Sequence, residues 1–390
     1  MSVWGEKSLN ELGVLAREKS RHRPRNAEFL YGGQYPFVQT SDVKNANFYL
    51  TVYTQTYSEA GLNQSKLWKK GTLCITIAAN IADTSILGID ACFPDSILGF
   101  TPFENVSDVK FIKYSFDLLQ RKIKQISQGA AQDNLSMEKL NTVKFLVPDY
   151  KTQHRIGSIL SAYDDLIENN LKRIKLLEEI AQRTYEEWFV KFRVNGEQLP
   201  IDENTGLPVG WERKRVEDCI HNFDNKRKPL AKLIREDRKG IFPYYGAAGI
   251  IDHIDGYIFE GRYLLIGEDG TVITPSGVAM LQFIQGKFWV SNHAHVITGK
   301  GNISTEFIYC FLNQYPISQH ITGAAQPKIS QMNLNRIEVL IGTDSTMKNF
   351  NSIILPIVNQ VFNIKNQNQK LKESRDILLP KLMNGNINIE

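Results

Sequence analysis

The sequence predicts an α+β protein: two similar mixed α/β domains separated by two long helices that pack as an antiparallel coiled coil. Three observations predict this fold class: an internal duplication, β-rich patterning within each copy, and an apolar heptad repeat after each copy. The expected boundaries are residues 1–150 for the first domain, 151–193 for the first spacer helix, 194–342 for a linker and the second domain, and 343–390 for the second spacer helix.

The duplication is clearest at the end of each globular copy. Residues 129–141 (GAAQDNLSMEKLN) and 323–335 (GAAQPKISQMNLN) agree at seven of thirteen positions, with an offset of 194 residues. Upstream, residues 35–39 (YPFVQ) align with residues 242–246 (FPYYG) at an offset of 207, so the offset falls by a net 13. Length changes of this kind fall in loops, so the copies should share a scaffold and differ in what they bind.

Each globular copy consists mainly of short apolar runs separated by Gly, Asn and Asp. Residues 72–77 (TLCITI) and 263–266 (YLLI) are typical of buried strands. Helices are expected at residues 109–125 and 305–314, each shortly before a GAAQ segment. A mixed domain built around a twisted or barrel-like sheet follows.

The segment after each copy has the spacing of a coiled-coil helix. Apolar residues recur at alternating steps of four and three over residues 156–188, and the 194 offset places a second seam at 350–382. The second seam is weaker, because Arg375 interrupts it and Pro356 is expected to kink or delay the helix. A helix over residues 153–189 would be roughly 55 Å long, enough to hold two domains more than one DNA turn apart.

Asn170 interrupts the first seam and Asn368 interrupts the second. Either they are tolerated near a solvated edge, or they fix the register of the helices at some cost in stability.

Composition indicates a soluble globular chain of about two to three units, from 390 residues, 44.5 kDa and 42% hydrophobic content. No run of about 18 uncharged apolar residues is present and the start lacks the apolar core of a signal peptide, so a cytoplasmic location is expected. The four cysteines are scattered, which predicts reduced thiols and neither a disulfide framework nor a structural metal.

Positive charge is concentrated at equivalent places in the two copies. The first cluster consists of Arg17, Lys19, Arg21, Arg23 and Arg25, and the second contains Lys226, Arg227 and Lys228. One such run is commonly an ordinary solvated surface. Two at equivalent positions favour binding to a nucleic-acid backbone, where Lys and Arg displace counterions.

Three polar and aromatic segments of the second copy are candidates for base contacts. They contribute Tyr244, Tyr245, Glu268, Asp269, Asn292, His293 and His295. Any one of these residues is more often a turn residue or a satisfied polar group. Three such segments in one small domain favour a binding surface, since these side chains can pair with base edges in a major groove.

Motifs of self-sufficient enzymes are absent from the sequence. It contains no GxGxxG or GxxxxGK[ST] phosphate loop, no GxSxG nucleophile motif, and no Asp-Pro-Pro-Tyr or Asn-Pro-Pro-Tyr segment. Together these absences argue against independent catalysis.

Two variable halves, each opened by a Trp and closed by GAAQ and a heptad helix, resemble the specificity subunit of type I restriction-modification enzymes. The segments YYGAAGIIDHIDGY, LLIGEDG, WVSNHAHVI and GAAQPKIS of the second half are similar to that family's target-recognition domains. The GAAQ segments add Gln132, Gln326 and Lys328 to the candidate DNA contacts. In the first half Pro94, Asp95 and Ser96 replace Ser291, Asn292 and His293, so different half-site sequences are expected.

The resemblance implies a noncatalytic reader of double-stranded DNA. Each target-recognition domain would read one half of a split site, with the helices acting as a ruler for the spacer. Modification subunits would dock on the helices and adjoining surfaces, and a restriction subunit would join the assembly. S-adenosylmethionine, ATP and Mg would belong to those partners, with no cofactor, catalytic residue or metal in this chain and no membrane contact.

Two other functions stay open at this point. A coiled-coil scaffold that joins proteins without binding DNA is the main alternative, but it would not need paired basic clusters. A chain that fuses recognition with methylation or cleavage is the third, and methyl transfer to DNA by the isolated chain would establish it.

Overall fold

The computed structural model describes residues 4–17, 22, 24–78, 80–127, 135–323 and 325–387. The chain divides into two compact units. The first unit contains Met1–Leu171 and Gln367–Glu390, and the second contains Lys172–Asn366. Each unit therefore combines one globular domain with a part of each long helix.

The first unit contains most of its strands and helices before the first long helix. Its elements are β1 Gly5–Lys7, α1 Leu9–Leu12, β2 Gly13–Arg17, β3 Tyr31–Phe37, α2 Thr40–Asn45, β4 Tyr49–Leu50, β5 Gln55–Tyr57, α3 Glu59–Asn63, β6 Leu73–Thr76, β7 Thr84–Leu87, β8 Ile97–Pro102, α4 Val109–Ser127, α5 Met137–Thr142, β9 Phe145–Val147 and the long helix α6 Tyr150–Tyr185, which extends into the second unit.

A five-stranded sheet in the order β2-β8-β6-β7-β4 forms the centre of the first domain. Only the β4–β7 pair is parallel. Strands β1 and β9 pair separately, as do β3 and β5. The sheet and α4 enclose a core in which Leu73, Ile75, Phe100 and Phe111 have no solvent exposure.

The second unit begins within α6, which continues as a π-helical turn at Glu186–Val190. Its further elements are β10 Arg193–Val194, β11 Glu197–Gln198, β12 Glu212–Arg215, α7 Val216–Cys219, β13 Ile220–Asn222, α8 Lys232–Asp237, β14 Lys239–Tyr245, β15 Ile250–Ile254, β16 Phe259–Gly267, β17 Leu281–Val290, β18 Ala294–Gly299, α9 Thr305–Leu312, α10 Gln331–Asn335, β19 Glu338–Ile341 and the long helix α11 Asp344–Met383.

The second domain repeats the order of the first four strands of the first domain's central sheet, with β13, β18, β16 and β17 in the places of β2, β8, β6 and β7. Its six-stranded sheet runs β13-β18-β16-β17-β14-β15, and β12 pairs with β19 as β1 pairs with β9. The described residues contain no helix that is long and apolar enough to cross a bilayer. All four cysteines are buried, and none of them is in a disulfide.

Strand register confirms the predicted duplication at both ends of each copy. The pair Gly5↔Val147 corresponds to Glu212↔Ile341, which reproduces offsets of 207 at the start and 194 at the end of a copy. Equivalent caps support the equivalent helices: the hydroxyl of Ser136 accepts from the third residue of α5, and that of Ser330 does the same in α10. Equivalent capping residues therefore begin equivalent helices in the two domains.

Most of the offset change lies at one hairpin tip. The pair Phe37↔Gln55 corresponds to Tyr244↔Asp252, so the tip is residues 38–54 (seventeen residues) in the first domain and residues 245–251 (seven residues) in the second. The short tip turns at Gly249 with φ +154°, a backbone conformation that favours glycine. The long tip has room for α2 and β4, which have no counterpart in the second domain.

In the first unit, the two long helices pack antiparallel. Asn170 donates to Asn368 at 2.8 Å, and both side chains are buried, which favours the register-fixing interpretation of the two asparagines. Arg375, which interrupts the apolar seam, contacts the buried carboxylate of Asp164, and the Tyr114 hydroxyl donates to the same group. Burial raises the pKa of Asp164, and Tyr114 and Arg375 offset part of that shift.

In the second unit, the helices also pack antiparallel. Ile174 and Ile364 form a buried cluster, and Lys365 pairs with Glu178 at 3.1 Å. Pro356 was expected to kink or delay the second helix, and the expected delay is wrong, because α11 begins at Asp344 and continues past the proline. Proline removes only one helical hydrogen bond, and the buried seam residues around it hold the helix together.

Candidate nucleic-acid interface

The predicted polar segments of the second domain form one contiguous surface. The backbone N–H of Glu268 donates to the His293 carbonyl at 2.8 Å, which joins the loops after β16 and β17. Gly270 donates to Pro327 at 3.0 Å, which adds the GAAQPKIS segment. The basic segment joins through Asp224, whose carboxylate accepts from the backbone N–H of Val296 at 2.9 Å.

Beneath this surface lies an ionic cluster, which we define as Asp224, Arg227, Glu268 and His295. Arg227 donates to Glu268 Oε2 at 2.6 Å and to the Ala294 carbonyl at 2.7 Å. Its side chain is 13% exposed and that of Glu268 is 14% exposed. These two predicted DNA contacts are therefore engaged with each other, and their geometry suits holding the loops in place.

His295 is the most buried member of the ionic cluster, at 1% exposure. Its Nε2 lies 2.8 Å from the Ile329 carbonyl and its Nδ1 lies 2.6 Å from Asp224 Oδ2. Both ring nitrogens lie within hydrogen-bonding distance of oxygen atoms, so the imidazole ring is held on both sides. Burial alone would raise the pKa of Asp224, but the hydrogen bond and charge of His295 lower it overall.

Asp224, Glu268 and His295 also have the residue types of a metal site, since their ligand atoms lie within 4.8 Å of one another. The two carboxylates already have protein cations as partners. Arg227 contacts both of them, and Lys328 Nζ lies 3.3 Å from Glu268 Oε1. The donor set therefore fits an internal ion network better than a site for an added cation.

The two predicted tyrosines pack below the loops. Tyr244 is 1% exposed, and its hydroxyl accepts from the backbone N–H of Leu230 at 3.0 Å. Tyr245 is half-buried, and its ring lies 5.9 Å from that of Phe288. We therefore assign the side chain of Tyr244 to the core and not to a surface that could contact DNA.

The exposed members of the predicted set lie on the loops themselves. Asn292 is exposed, and His293 is 48% exposed with its Nδ1 bonded to Asp269. Lys226 lies over the Phe223 ring at 5.1 Å. The others with exposed side chains are Lys228, Gln326 and Lys328.

In the first domain, the described part of the basic cluster holds the equivalent loop. Arg17 Nε donates to the Asp95 carbonyl at 2.7 Å, and Arg25 pairs with the Asp95 carboxylate at 2.6 Å. Register places Asp95 where the second domain has Asn292, so an arginine of the basic segment supports this loop in both domains. Lys19, Arg21, Arg23 and Gln132 lie outside the described residues.

Comparison with known proteins assigns the family. The model of the type I restriction modification DNA specificity domain matches residues 1–179 and again residues 208–373. The chain belongs to this family. It is a type I restriction-modification specificity subunit with two DNA specificity domains.

Individual specificity subunits are similar over the whole length. The MjaIX specificity subunit of Methanocaldococcus jannaschii is 25% identical over 99% of this chain and 94% of its own length. The HindI specificity subunit of Haemophilus influenzae is 21% identical over 99% of this chain and 100% of its own length. The crystal structure of the S subunit from M. genitalium shares the fold, with a TM-score of 0.61 and 16% identity over 98% of this chain and 96% of that one.

Asp224 of this specificity subunit links the basic segment to β18, and this role was not predicted from the sequence. A usable signal was present, because Asp224 precedes Arg227 by three residues, a spacing at which opposite charges meet in a helical turn. The acceptor on the other side of His295 is a backbone carbonyl, and no side-chain motif marks it.

Proposed function

We propose that this specificity subunit reads a split double-stranded DNA sequence, one half through each domain. The support is a shared strand register with different side chains at equivalent loop positions. Asp95 is ion-paired in the first domain, whereas Asn292 is exposed in the second. Different loops on one scaffold suit two different half-site sequences.

The rest of the assembly follows from the same proposal. The long helices α6 and α11 set the unspecified spacer and dock modification subunits, which supply methyl transfer with S-adenosylmethionine. A restriction subunit supplies the chemistry that needs ATP and Mg. This chain then acts as the noncatalytic reader, in the cytoplasm, where such a complex meets DNA.

Burial divides the candidate residues of the second domain into two roles. Asn292 and His293 are exposed on a loop that the ionic cluster holds from below. This exposure is the observation that carries the proposal. They read bases, while Lys226 and Lys228 contact phosphates, since phosphate contacts position the protein and base contacts specify the sequence. The ionic cluster keeps the reading loops in one conformation.

Replacing Asn292 and His293 with Ala should change base preference in one half-site and leave the other half unchanged. Each good base contact discriminates by about 1–3 kcal/mol, so the preference at the affected positions should fall by roughly tenfold or more. Competition binding by the chain with its modification subunits, against duplexes randomised in either half, measures this. An unchanged preference would remove both residues from the reading surface.

Replacing Lys226 and Lys228 with Ala should weaken binding to all sequences about equally. Each phosphate contact contributes about one to the slope of log affinity against log salt, so the slope should become shallower by about two. Dissociation constants for specific and unrelated duplexes over a salt series provide the measurement. The double variant Lys370→Ala and Lys372→Ala on α11 removes the same charge and should keep the original slope. An equal change in both variants would show a general charge effect.

A further inference from the structure

The second domain contains an open apolar cavity of about 540 Å³ next to segments of both long helices. Strand β17 lines it with Leu281 and Phe283, α9 with Cys310, and α11 with Val358 and Phe362. Phe283 is partly exposed, although its ring stacks on Tyr309 at 5.1 Å and packs on Phe362 at 5.5 Å. A cavity of this size and composition suits a bound apolar group.

The corresponding place in the first domain can be located by strand register. The pair Leu264↔Phe283 between β16 and β17 corresponds to Leu73↔Ile86 between β6 and β7. The first strand of each pair also pairs with a third strand, and these third strands correspond to each other: β18 in the second domain and β8 in the first. Phe283 is therefore the counterpart of Ile86.

In the first domain the chain itself covers this place. Strand β4, from the long hairpin tip, lies parallel to β7 and pairs Tyr49 with Ile86. The backbone N–H of Ile86 donates to the Phe48 carbonyl at 3.0 Å, and the Phe48 ring packs on Tyr114 at 5.2 Å. Ile86 is only 2% exposed as a result.

The residues behind the cavity also differ in size between the domains. Tyr114 and Cys310 are each the sixth residue after the N-cap of their helices. Tyr114 donates to Asp164 in the first domain, and at the 194 offset Asp164 corresponds to Val358. A thiol and an isopropyl group therefore stand where the first domain has a phenol and a carboxylate, which enlarges the space.

Strand β17 offers hydrogen-bonding groups beside the cavity. Strand β14 pairs with it only at Trp289 and Val290, and over the preceding part of β17, all of it within the described residues, β16 is the only paired strand. An open strand edge next to an apolar cavity is the surface to which an extended peptide adds as a further strand.

We propose that this cavity receives an extended segment of the modification subunit that carries adjacent aromatic and aliphatic side chains. The segment adds as a short strand beside β17, as Phe48, Tyr49 and Leu50 do beside β7 in the first domain. Lys365 and Glu178 pair with each other at the cavity, so apolar fit and not net charge selects the segment. The inference rests on the proposed function, and it makes docking on the two domains unequal.

Photocrosslinking in the reconstituted complex tests the inference. The photoreactive residue p-benzoylphenylalanine replaces Phe283 in the full chain, which is assembled with purified modification subunits and irradiated. Crosslinks to an extended modification-subunit segment with neighbouring aromatic residues are expected. The same group at Lys287, an exposed position on β17 that does not line the cavity, should give none.

Three results would overturn the inference. One is the absence of crosslinks from position 283 in a complex that assembles and methylates DNA; the others are crosslinks to an amphipathic helix or to a second copy of this chain. These outcomes leave the proposed function intact. Failure of the wild-type chain to bind modification subunits or a specific duplex would instead refute the proposed function.

A second variant measures the contribution of the cavity to binding. Leu281→Lys places a charge at the cavity and should weaken the modification-subunit interaction at least roughly tenfold, which corresponds to about 1.4 kcal/mol. Val209→Lys, at an exposed linker position, adds the same charge and should leave the interaction unchanged. Equal affinities for the two variants, both folded by circular dichroism, would contradict the proposed docking site.

Discussion

Replacing Arg227 with Met is expected to destabilise the second domain by roughly 3–5 kcal/mol, because it removes one partner of a buried ion network. Asp224 and Glu268, 9% and 14% exposed, would lose the guanidinium that contacts both carboxylates. The loops joined through the Ala294 carbonyl would also lose a support. Chemical denaturation of the full chain measures the stability, and sequence-specific DNA binding should fall with it.

The matched control is Arg238→Met, which removes an arginine of the same basic segment. Arg238 pairs with Asp255, but these side chains are 34% and 52% exposed, so the expected cost is below about 1 kcal/mol. Equal stabilities for the two variants would show that the Arg227 network is not essential to the fold. Normal stability of the Arg227 variant with altered base preference would instead mean that Arg227 contacts DNA directly.

Replacing Arg375 with Ala should destabilise the helix pair of the first unit by a similar amount, roughly 3–5 kcal/mol. The substitution leaves the Asp164 carboxylate, 2% exposed, with the Tyr114 hydroxyl but without its cation. Burial already raises the pKa of Asp164, and loss of the Arg375 charge should raise it further. Denaturation curves for the single variants and for Arg375→Ala with Asp164→Asn give the coupling energy.

Lys365→Ala provides the comparison for a surface pair. Lys365 and Glu178 are 47% and 42% exposed, and loss of their contact should cost less than about 1 kcal/mol. If the loss of stability in the double variant at positions 164 and 375 equalled the sum of the losses in the two single variants, the two groups would not be coupled. Arg375 would then not interrupt the apolar seam as the partner of Asp164.

The duplication and the helices were predictable from the sequence because both depend on local patterns. The 207 and 194 offsets reappear in the strand pairs, and the Asn170–Asn368 contact joins two residues that the heptad spacing had placed on the two seams. Arg375 was recognised as an interruption, but its partner was not. Asp164 is 211 positions away along the chain, and its inward direction depends on how the helices pack.

The candidate site was predictable as a set of segments but not as a set of side-chain roles. Residue type indicated that Glu268, Asn292 and His295 belong to polar loops, and the structure brings these loops together. Whether a side chain faces solvent or the interior depends on long-range pairing. Arg227 and His295 face inward because oxygen acceptors from β18 and the GAAQPKIS segment lie there.

The sequence indicated that the two copies differ in loop length, but it did not indicate which loop is longer. The net change of 13 in the offset indicated insertions and deletions, but only strand register assigns the longer tip to residues 38–54. That insertion explains why a surface covered in the first domain is open in the second. With the proposed docking, the two scaffolds would differ in partner contacts as well as in DNA contacts.

Mapping of methylated sites in cells that carry this chain and its modification subunits shows whether the two domains read separate sequences. Two different defined half-sequences, separated by an unspecified spacer of constant length, are expected. Exchanging residues 208–342 for those of a relative should replace one half-sequence and keep the other. A single continuous site, or simultaneous loss of both half-sequences from a folded and assembled exchange variant, would contradict two independent readers in one chain.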